Sequence, residues 1–198
     1  RTFLGLGTMR HSPLRSRSPI VAKGEPNGLS VMAMAEDGKF LNLPELYMEK
    51  LAIGGGYPAN LVDLDNEPAE NLKALSKARG VPVSDLVVCI LDRPRHGEII
   101  AKTREAGARI MLIVDGDVSG VMSVAYPQKK IDIYIGIGGA PEGVLAAAAL
   151  KCLNCQMQTR LHFLKNEEKN KAKNLGITNL NKKYNIQDMV KGDVIFCA

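Results

Sequence analysis

Gly136-Ile137-Gly138-Gly139-Ala140-Pro141-Glu142-Gly143 closes an apolar run that begins at Ile131 and opens an alanine-rich run that ends at Leu153. The glycines allow close approach of a ligand to the backbone, and Pro141 fits the first turn of a helix. The stretch therefore reads as a strand that hands its carboxyl end to a helix N-terminus, where free N–H groups bind phosphate. Two general phosphate motifs are excluded. The dinucleotide pattern needs glycine where Pro141 stands, and the P-loop needs lysine where Val144 follows Gly143. Glu142 falls in the first turn, where it either holds a metal or simply complements the helix dipole.

Outward from this point the same alternation recurs. Residues 85–91 read as a buried strand, 98–106 as a helix, 109–114 as a strand, 118–126 as a helix, 131–137 as a strand and 141–153 as a helix. Strands separated by single helices predict βαβ units, an α/β class and a largely parallel sheet. Upstream, residues 29–35 read as a strand ended by Asp37-Gly38. Asn66 is placed as an N-cap, Glu67 and Pro68 as a first turn, Leu72, Leu75 and Ala78 as a helical stripe, and Gly80 as its stop. Downstream lie a polar helix at 166–174, a short amphipathic segment at Asp188-Met189-Val190, and a strand-like run at 193–198.

Two further motifs end strands at the carboxyl side, where parallel sheets bind ligands. In Leu91-Asp92-Arg93-Pro94-Arg95-His96, Pro94 fixes the backbone between two arginines suited to bidentate phosphate contact, with His96 in reach. A solvated basic turn is the alternative. In Asp115-Gly116-Asp117, two carboxylates flank a glycine, a pattern suited to sugar hydroxyls or a divalent metal. The alternative is a turn in which Asp117 caps the next helix.

Composition narrows the class. Of 198 residues, 45% are hydrophobic and 24% charged, enough for one substantial core. The net charge of +5 is concentrated at the start: residues 1–19 hold four arginines and no acid, which leaves +1 for the rest. With aromatics at only 5%, a nucleic-acid face is not expected. No apolar run approaches the roughly 20 residues of a membrane span. Cys89, Cys152, Cys155 and Cys197 make no disulfide framework, and the Cys152-x-x-Cys155 spacing reads as two small thiols rather than zinc or redox chemistry.

Together, Tyr47-Met48-Glu49-Lys50, the Leu91–His96 motif, Asp115-Gly116-Asp117, residues 136–153 and Gln156-Met157-Gln158 with Arg160-Leu161 resemble the class II fructose-1,6-bisphosphatases. Some members of that family also hydrolyse sedoheptulose 1,7-bisphosphate. The resemblance runs from about Val21 to Ala198. It implies a layered, lithium-sensitive sugar-phosphatase fold in which Mn2+ or Mg2+ activates a water for attack on the 1-phosphate of fructose 1,6-bisphosphate. By motif position, Tyr47, Arg93, Pro94, Arg95, Asp115, Gly116, Asp117 and Gly139 are implied to contact substrate, and Glu142 to ligate metal. The family further implies a homo-oligomer; the absence of nucleic-acid and membrane partners is the expectation from composition.

One departure stands out. Where the family carries an acidic Asp-Pro-Leu-Glu-Gly-Thr motif, this chain reads Ser12-Pro13-Leu14-Arg15-Ser16-Arg17, with arginines that repel a metal. Residues 1–19 are accordingly read as an atypical Arg/Ser-rich segment outside the fold, and residues 20–198 as part of a sugar-phosphatase domain truncated at both ends. A catalytically dead phosphosugar-binding or regulatory subunit is the competing reading. The expected location is cytoplasmic, with a plastid as the alternative if residues 1–19 end a transit segment.

Overall fold

The computed structural model describes residues 30–43 and 45–198, together with the backbone of residues 2–5. Ser12 to Arg17 and Val21 to Gly24 lie outside the described residues.

Two sheets organise the chain. Strands β1 (Thr2–Gly5), β2 (Met32–Ala35) and β9 (Val194–Cys197) form an antiparallel three-stranded sheet in the order β1-β2-β9. A six-stranded sheet has the order β5-β4-β6-β3-β7-β8, with β3 Tyr47–Ile53, β4 Val87–Leu91, β5 Arg109–Ile113, β6 Ile133–Gly139, β7 Gln156–His162 and β8 Lys183–Asn185. The helices are α1 (Pro68–Arg79), α2 (Gly97–Glu105), α3 (Asp117–Met122), α4 (Ala140–Cys152), α5 (Asn166–Asn174) and α6 (Ile186–Met189). Among the described residues no helix is long and apolar enough to cross a membrane.

The large sheet is mixed, which corrects the expectation of a largely parallel one. Only β5, β4 and β6 run parallel; β6, β3, β7 and β8 are mutually antiparallel in sequence of pairing. The difference comes from β3 and β7, which the helix-and-strand alternation passes over because charged and amide residues interrupt them. Both sit inside the sheet. Tyr47–Ile53 pairs along its whole length with β6 on one side and β7 on the other.

Pleating sorts the side chains into two cores. Leu51, Ile53, Val88, Ile90 and Ile133 point toward Leu72 and Leu75 of α1 and Ile100 of α2. Met48, Ala52, Cys89, Tyr134, Met157 and Leu161 point to the other face, toward α3, α4 and α6. Every residue from Gly143 to Leu150 is buried, because α4 lies between the large sheet and the small one. An apolar helix without a polar face is what that position demands.

Local starts and stops follow the residues. Glu67, not Asn66, caps α1, and the Glu70 carboxylate accepts the Glu67 N–H at 3.0 Å. Leu72 and Leu75 are buried as expected, Ala78 is exposed and Asn71 takes an inner place. Gly80 ends the helix at φ 67°, the left-handed conformation glycine adopts at no steric cost. Val83–Asp85 forms a 3-10 turn, so the next strand begins only at Val87.

On β7 the outward residues do not face water. Gln156 Nε2 donates to the Tyr57 carbonyl at 2.6 Å, and Gln158 bonds the Val62 carbonyl and the Leu64 N–H at 3.2 and 3.1 Å. Arg160 joins Glu49 at 2.8 Å and Asp65 at 2.5 Å, while Lys183 holds Asp63 and Asp65 at 2.6 and 2.7 Å. Lys183 and Arg160 keep the Asp65 carboxyl below its ordinary range. These contacts dock the long connection between β3 and α1 onto the sheet.

That connection starts at Gly54-Gly55, where β3 passes the turn between α4 and β7. A Cβ on Gly55 would overlap the backbone carbonyl of Asn154, itself in a left-handed turn at φ 52°. Backbone cannot move aside as a side chain can. Gly55→Ala is therefore expected to lower stability by about 1–3 kcal/mol in urea unfolding, with the slope unchanged.

Candidate functional site

Strand β4 sits between two neighbours but follows only one of them to its end. Its pairing with β6 is recorded at Val88↔Ile133 and Cys89↔Tyr134, whereas it keeps company with β5 through Leu91↔Ile113 and a 2.8 Å bond from Asp92 N–H to the Ile113 carbonyl. The chain leaves β4 through α2 on one face toward β5, then returns through α3 on the other face to β6. The gap between β4 and β6 is thus a topological switch point, and α/β sheets bind ligands at the carboxyl side of such gaps.

The parting of the strands leaves Ile137 on β6 with an N–H and a C=O that β4 does not reach. Buried peptide groups need partners. The turn after β4 supplies them: His96 Nε2 accepts the Ile137 N–H at 2.8 Å, and Arg95 donates to the Ile137 carbonyl through Nε at 3.0 Å and Nη2 at 2.8 Å. His96 Nδ1 lies 2.7 Å from the Leu91 carbonyl. A carbonyl only accepts and an amide N–H only donates, so the ring is neutral with its proton on Nδ1. His96 is fully buried, both nitrogens are committed to backbone, and it does not face the gap as an anion ligand.

Each motif marked in the sequence ends at this gap. Arg95 reaches over the Tyr47 ring, 5.0 Å from its centroid, at the amino end of β3. Because β3 is antiparallel to β6, Tyr47 stands opposite Gly139, and opposite His162 on its other side. Arg93 donates to the Asp92 carbonyl at 2.9 Å, and its guanidinium lies 3.9 Å from Asp115. Pro94 opens the 3-10 turn Pro94–His96, with Arg95 inside it and Arg93 as its extended N-cap. Gly116, at φ 85°, caps α3, so Asp117 is the first helical residue rather than the cap.

Gly139 ends β6 and precedes α4, which Pro141 enters in its first turn. A Cβ on Gly139 would collide with the Glu142 carboxylate, which folds back over the strand end. The helix N-terminus and the arginines thus give one end of the sheet a positive character, with Asp115, Asp117 and Glu142 set among them.

Four residues at or beneath the site were not marked by the sequence motifs as chemistry. Lys50 on β3 is fully buried and ion-paired with Asp117; Tyr134 on β6 donates its hydroxyl to the same carboxylate. Glu49 accepts from Arg160, and His162 lies 3.5 Å from Glu49. The sequence signal for Lys50 was its place in a strand between Met48 and Ala52, both fully buried. Cys89, under Asp117, is an unsuitable nucleophile, since burial and then the Asp117 charge push its thiol up to about 12. Cys152 is exposed at the end of α4, and Cys155 is half-buried. Among the described residues, no group of three or more His, Cys, Asp or Glu is placed to hold a metal ion.

Residues 13–198 match the family described as bacterial fructose-1,6-bisphosphatase, glpX-encoded. The D-fructose 1,6-bisphosphatase class 2/sedoheptulose 1,7-bisphosphatase of Trichodesmium erythraeum (strain IMS101) is 37% identical over 191 residues, which cover 90% of this chain and 55% of that protein. The fructose-1,6-bisphosphatase 1 class 2 of Escherichia coli (strain K12) is 39% identical over 193 residues, covering 90% and 57%. The chain spans a little over half the length of these relatives.

The bridge at Ile137 carries a pH dependence. Burial, reinforced by the Arg95 charge, holds His96 below its ordinary value of 6.5. A histidine kept neutral by folding contributes stability above that ordinary value and loses it as pH falls, because the unfolded chain binds the proton more readily. Thermal unfolding is expected to show wild type losing stability between pH ~7.5 and ~5.5. His96→Gln, about 1–3 kcal/mol less stable at neutral pH, should show a flatter profile.

Proposed function

The chain belongs to the bacterial, glpX-encoded fructose-1,6-bisphosphatase family, and on that premise we propose that the protein binds fructose 1,6-bisphosphate at the gap between β4 and β6 and hydrolyses its 1-phosphate to give fructose 6-phosphate. The observation that supports this most is the convergence of two arginines, an acid-glycine-acid turn and a helix N-terminus at one end of one sheet. Sedoheptulose 1,7-bisphosphate presents the same two phosphates and row of hydroxyls, and is a second substrate in this reading.

Arg93 and Arg95 bind phosphate, with Pro94 holding them apart. Tyr47 lies under the Arg95 guanidinium and orients it. Asp115 accepts hydrogen bonds from sugar hydroxyls, Gly116 and Gly139 let the sugar approach the backbone, and Asp117 belongs to the same turn. The Arg95 Nε–Nη2 edge is held by the Ile137 carbonyl, so phosphate meets its remaining Nη donors as charge-assisted hydrogen bonds. The layered arrangement of helices and two sheets fits the lithium-sensitive sugar-phosphatase fold. A homo-oligomer in the cytoplasm completes the reading.

The family reaction uses Mn2+ or Mg2+, and Glu142 is the ligand the resemblance assigns. The described residues alone do not fit such an ion: Glu142 folds over Gly139, and no second and third ligand stand with it. Ser12, Arg15 and Arg17 occupy positions where the family has its acids and threonine. That substitution favours a second reading, a phosphosugar-binding protein without catalysis.

Calorimetry of fructose 1,6-bisphosphate binding with and without Mn2+, alongside phosphate release, separates the two. Metal-dependent phosphate release supports the phosphatase. Metal-independent binding without release supports the binder. Arg93→Ala is expected to weaken binding by roughly 10-fold or more in either case, because it removes a charge-assisted phosphate contact. Wild-type protein that binds neither sugar bisphosphate overturns both.

A further inference from the structure

Asp117 looks inward. Its side chain is 13% exposed, one carboxylate oxygen meets the ammonium of fully buried Lys50, and the other accepts the Tyr134 hydroxyl. Asp115, two residues earlier, is half-exposed and faces Arg93. The two acids of one short motif therefore occupy different environments on opposite sides of Gly116.

The surroundings are shaped for the inner one. Gly138 on β6 lies so close that an added Cβ would strike the Asp117 carboxylate and come within 3.0 Å of Lys50 Nζ. On α4, a Cβ at Gly143 would meet Met48 Sδ and stand 3.2 Å from Lys50 Cε. Side chains at these two positions would close the space in which the lysine meets the acid. Tyr134 is fully buried, and burial followed by the Asp117 charge keeps its phenol protonated, so it remains a donor. A buried cation is expensive unless paired, so Lys50 and Asp117 hold each other in one geometry.

We propose that Lys50 and Tyr134 are positioning residues: they anchor Asp117 beneath the site, fix the Asp115-Gly116 turn at the mouth of the gap, and leave Asp115 as the acid that meets the sugar. This rests on the sugar-bisphosphate reading of the site. The anchor spans β3, β6 and the start of α3, so it ties the turn after β5 to two strands that β5 itself does not touch. The consequence is specific to the turn. Substitution of the anchor loosens Asp115 and Gly116 while the arginines, held by Ile137 and Asp92, stay in place.

The test measures fructose 1,6-bisphosphate binding by calorimetry and amide shifts by NMR for wild type, Tyr134→Phe, Lys50→Met, Asp117→Asn and the Lys50→Met/Asp117→Asn pair. Tyr134→Phe, the mildest change, should unfold cooperatively, weaken binding by roughly 10-fold and move the Gly116 amide in the unliganded protein. In Asp117→Asn the buried Lys50 ammonium keeps an amide oxygen as partner but loses its counter-charge. The paired variant removes that unpaired buried charge and should recover part of the affinity lost in either single variant.

Equal loss in Asp117→Asn and the paired variant would mean that the Asp117 carboxylate touches the sugar itself, which overturns the proposal. Wild-type affinity with an unmoved Gly116 amide in Tyr134→Phe overturns it too, while leaving the sugar-bisphosphate reading intact. Absence of binding by the wild type defeats that reading and the proposal together.

Discussion

The peptide group of Ile137 has a strand on one side only. On β3 its neighbour is Glu49, but on the other flank β4 has already turned away with β5, and the gap is filled by the imidazole of His96 and the guanidinium of Arg95. Much of the site depends on this arrangement. Were β4 to continue beside β6, the peptide groups would pair in the ordinary ladder and no crevice would exist. Because it does not, two side chains stand in for a strand, and one of them carries positive charge to the rim.

The same gap explains the run of small residues along β6. Gly136 makes room for the Tyr134 hydroxyl, Gly138 for the Asp117 carboxylate and Gly139 for Glu142. Side chains here would fill the space that charged groups need in order to meet. On the opposite face of the sheet the logic reverses: Ile133 and Ile135 pack against large apolar neighbours. One strand thus presents a solid apolar face to α1 and α2 and an indented one to α3 and α4.

The parallel half of the sheet was legible in the sequence because its strands are apolar on both faces and its helices carry clear stops. Leu72 and Leu75 found the core, Gly80 ended the helix, and the polar helix at Asn166–Asn174 stands as read. The antiparallel half was hidden for physical reasons. Lys50 breaks the apolar pattern of β3 although it is buried, since its partner Asp117 lies 67 residues away. On β7, Gln156, Gln158 and Arg160 look solvent-facing, yet they bond a loop about a hundred residues earlier in the chain. The strict alternation of Met157, Thr159 and Leu161 was the available signal. His96 was placed within reach of the phosphate because sequence shows its proximity to the arginines and not the orphaned peptide it serves.

The sugar-bisphosphate site proposed for the gap between β4 and β6 can be tested by direct observation. A crystal structure of the chain soaked with fructose 1,6-bisphosphate tests it most directly. One phosphate is expected against Arg93 and Arg95, with the sugar hydroxyls toward Asp115 and the Gly139 end of β6 and His96 unmoved. Ligand bound elsewhere on the molecule, with the arginines facing open solvent, would contradict it.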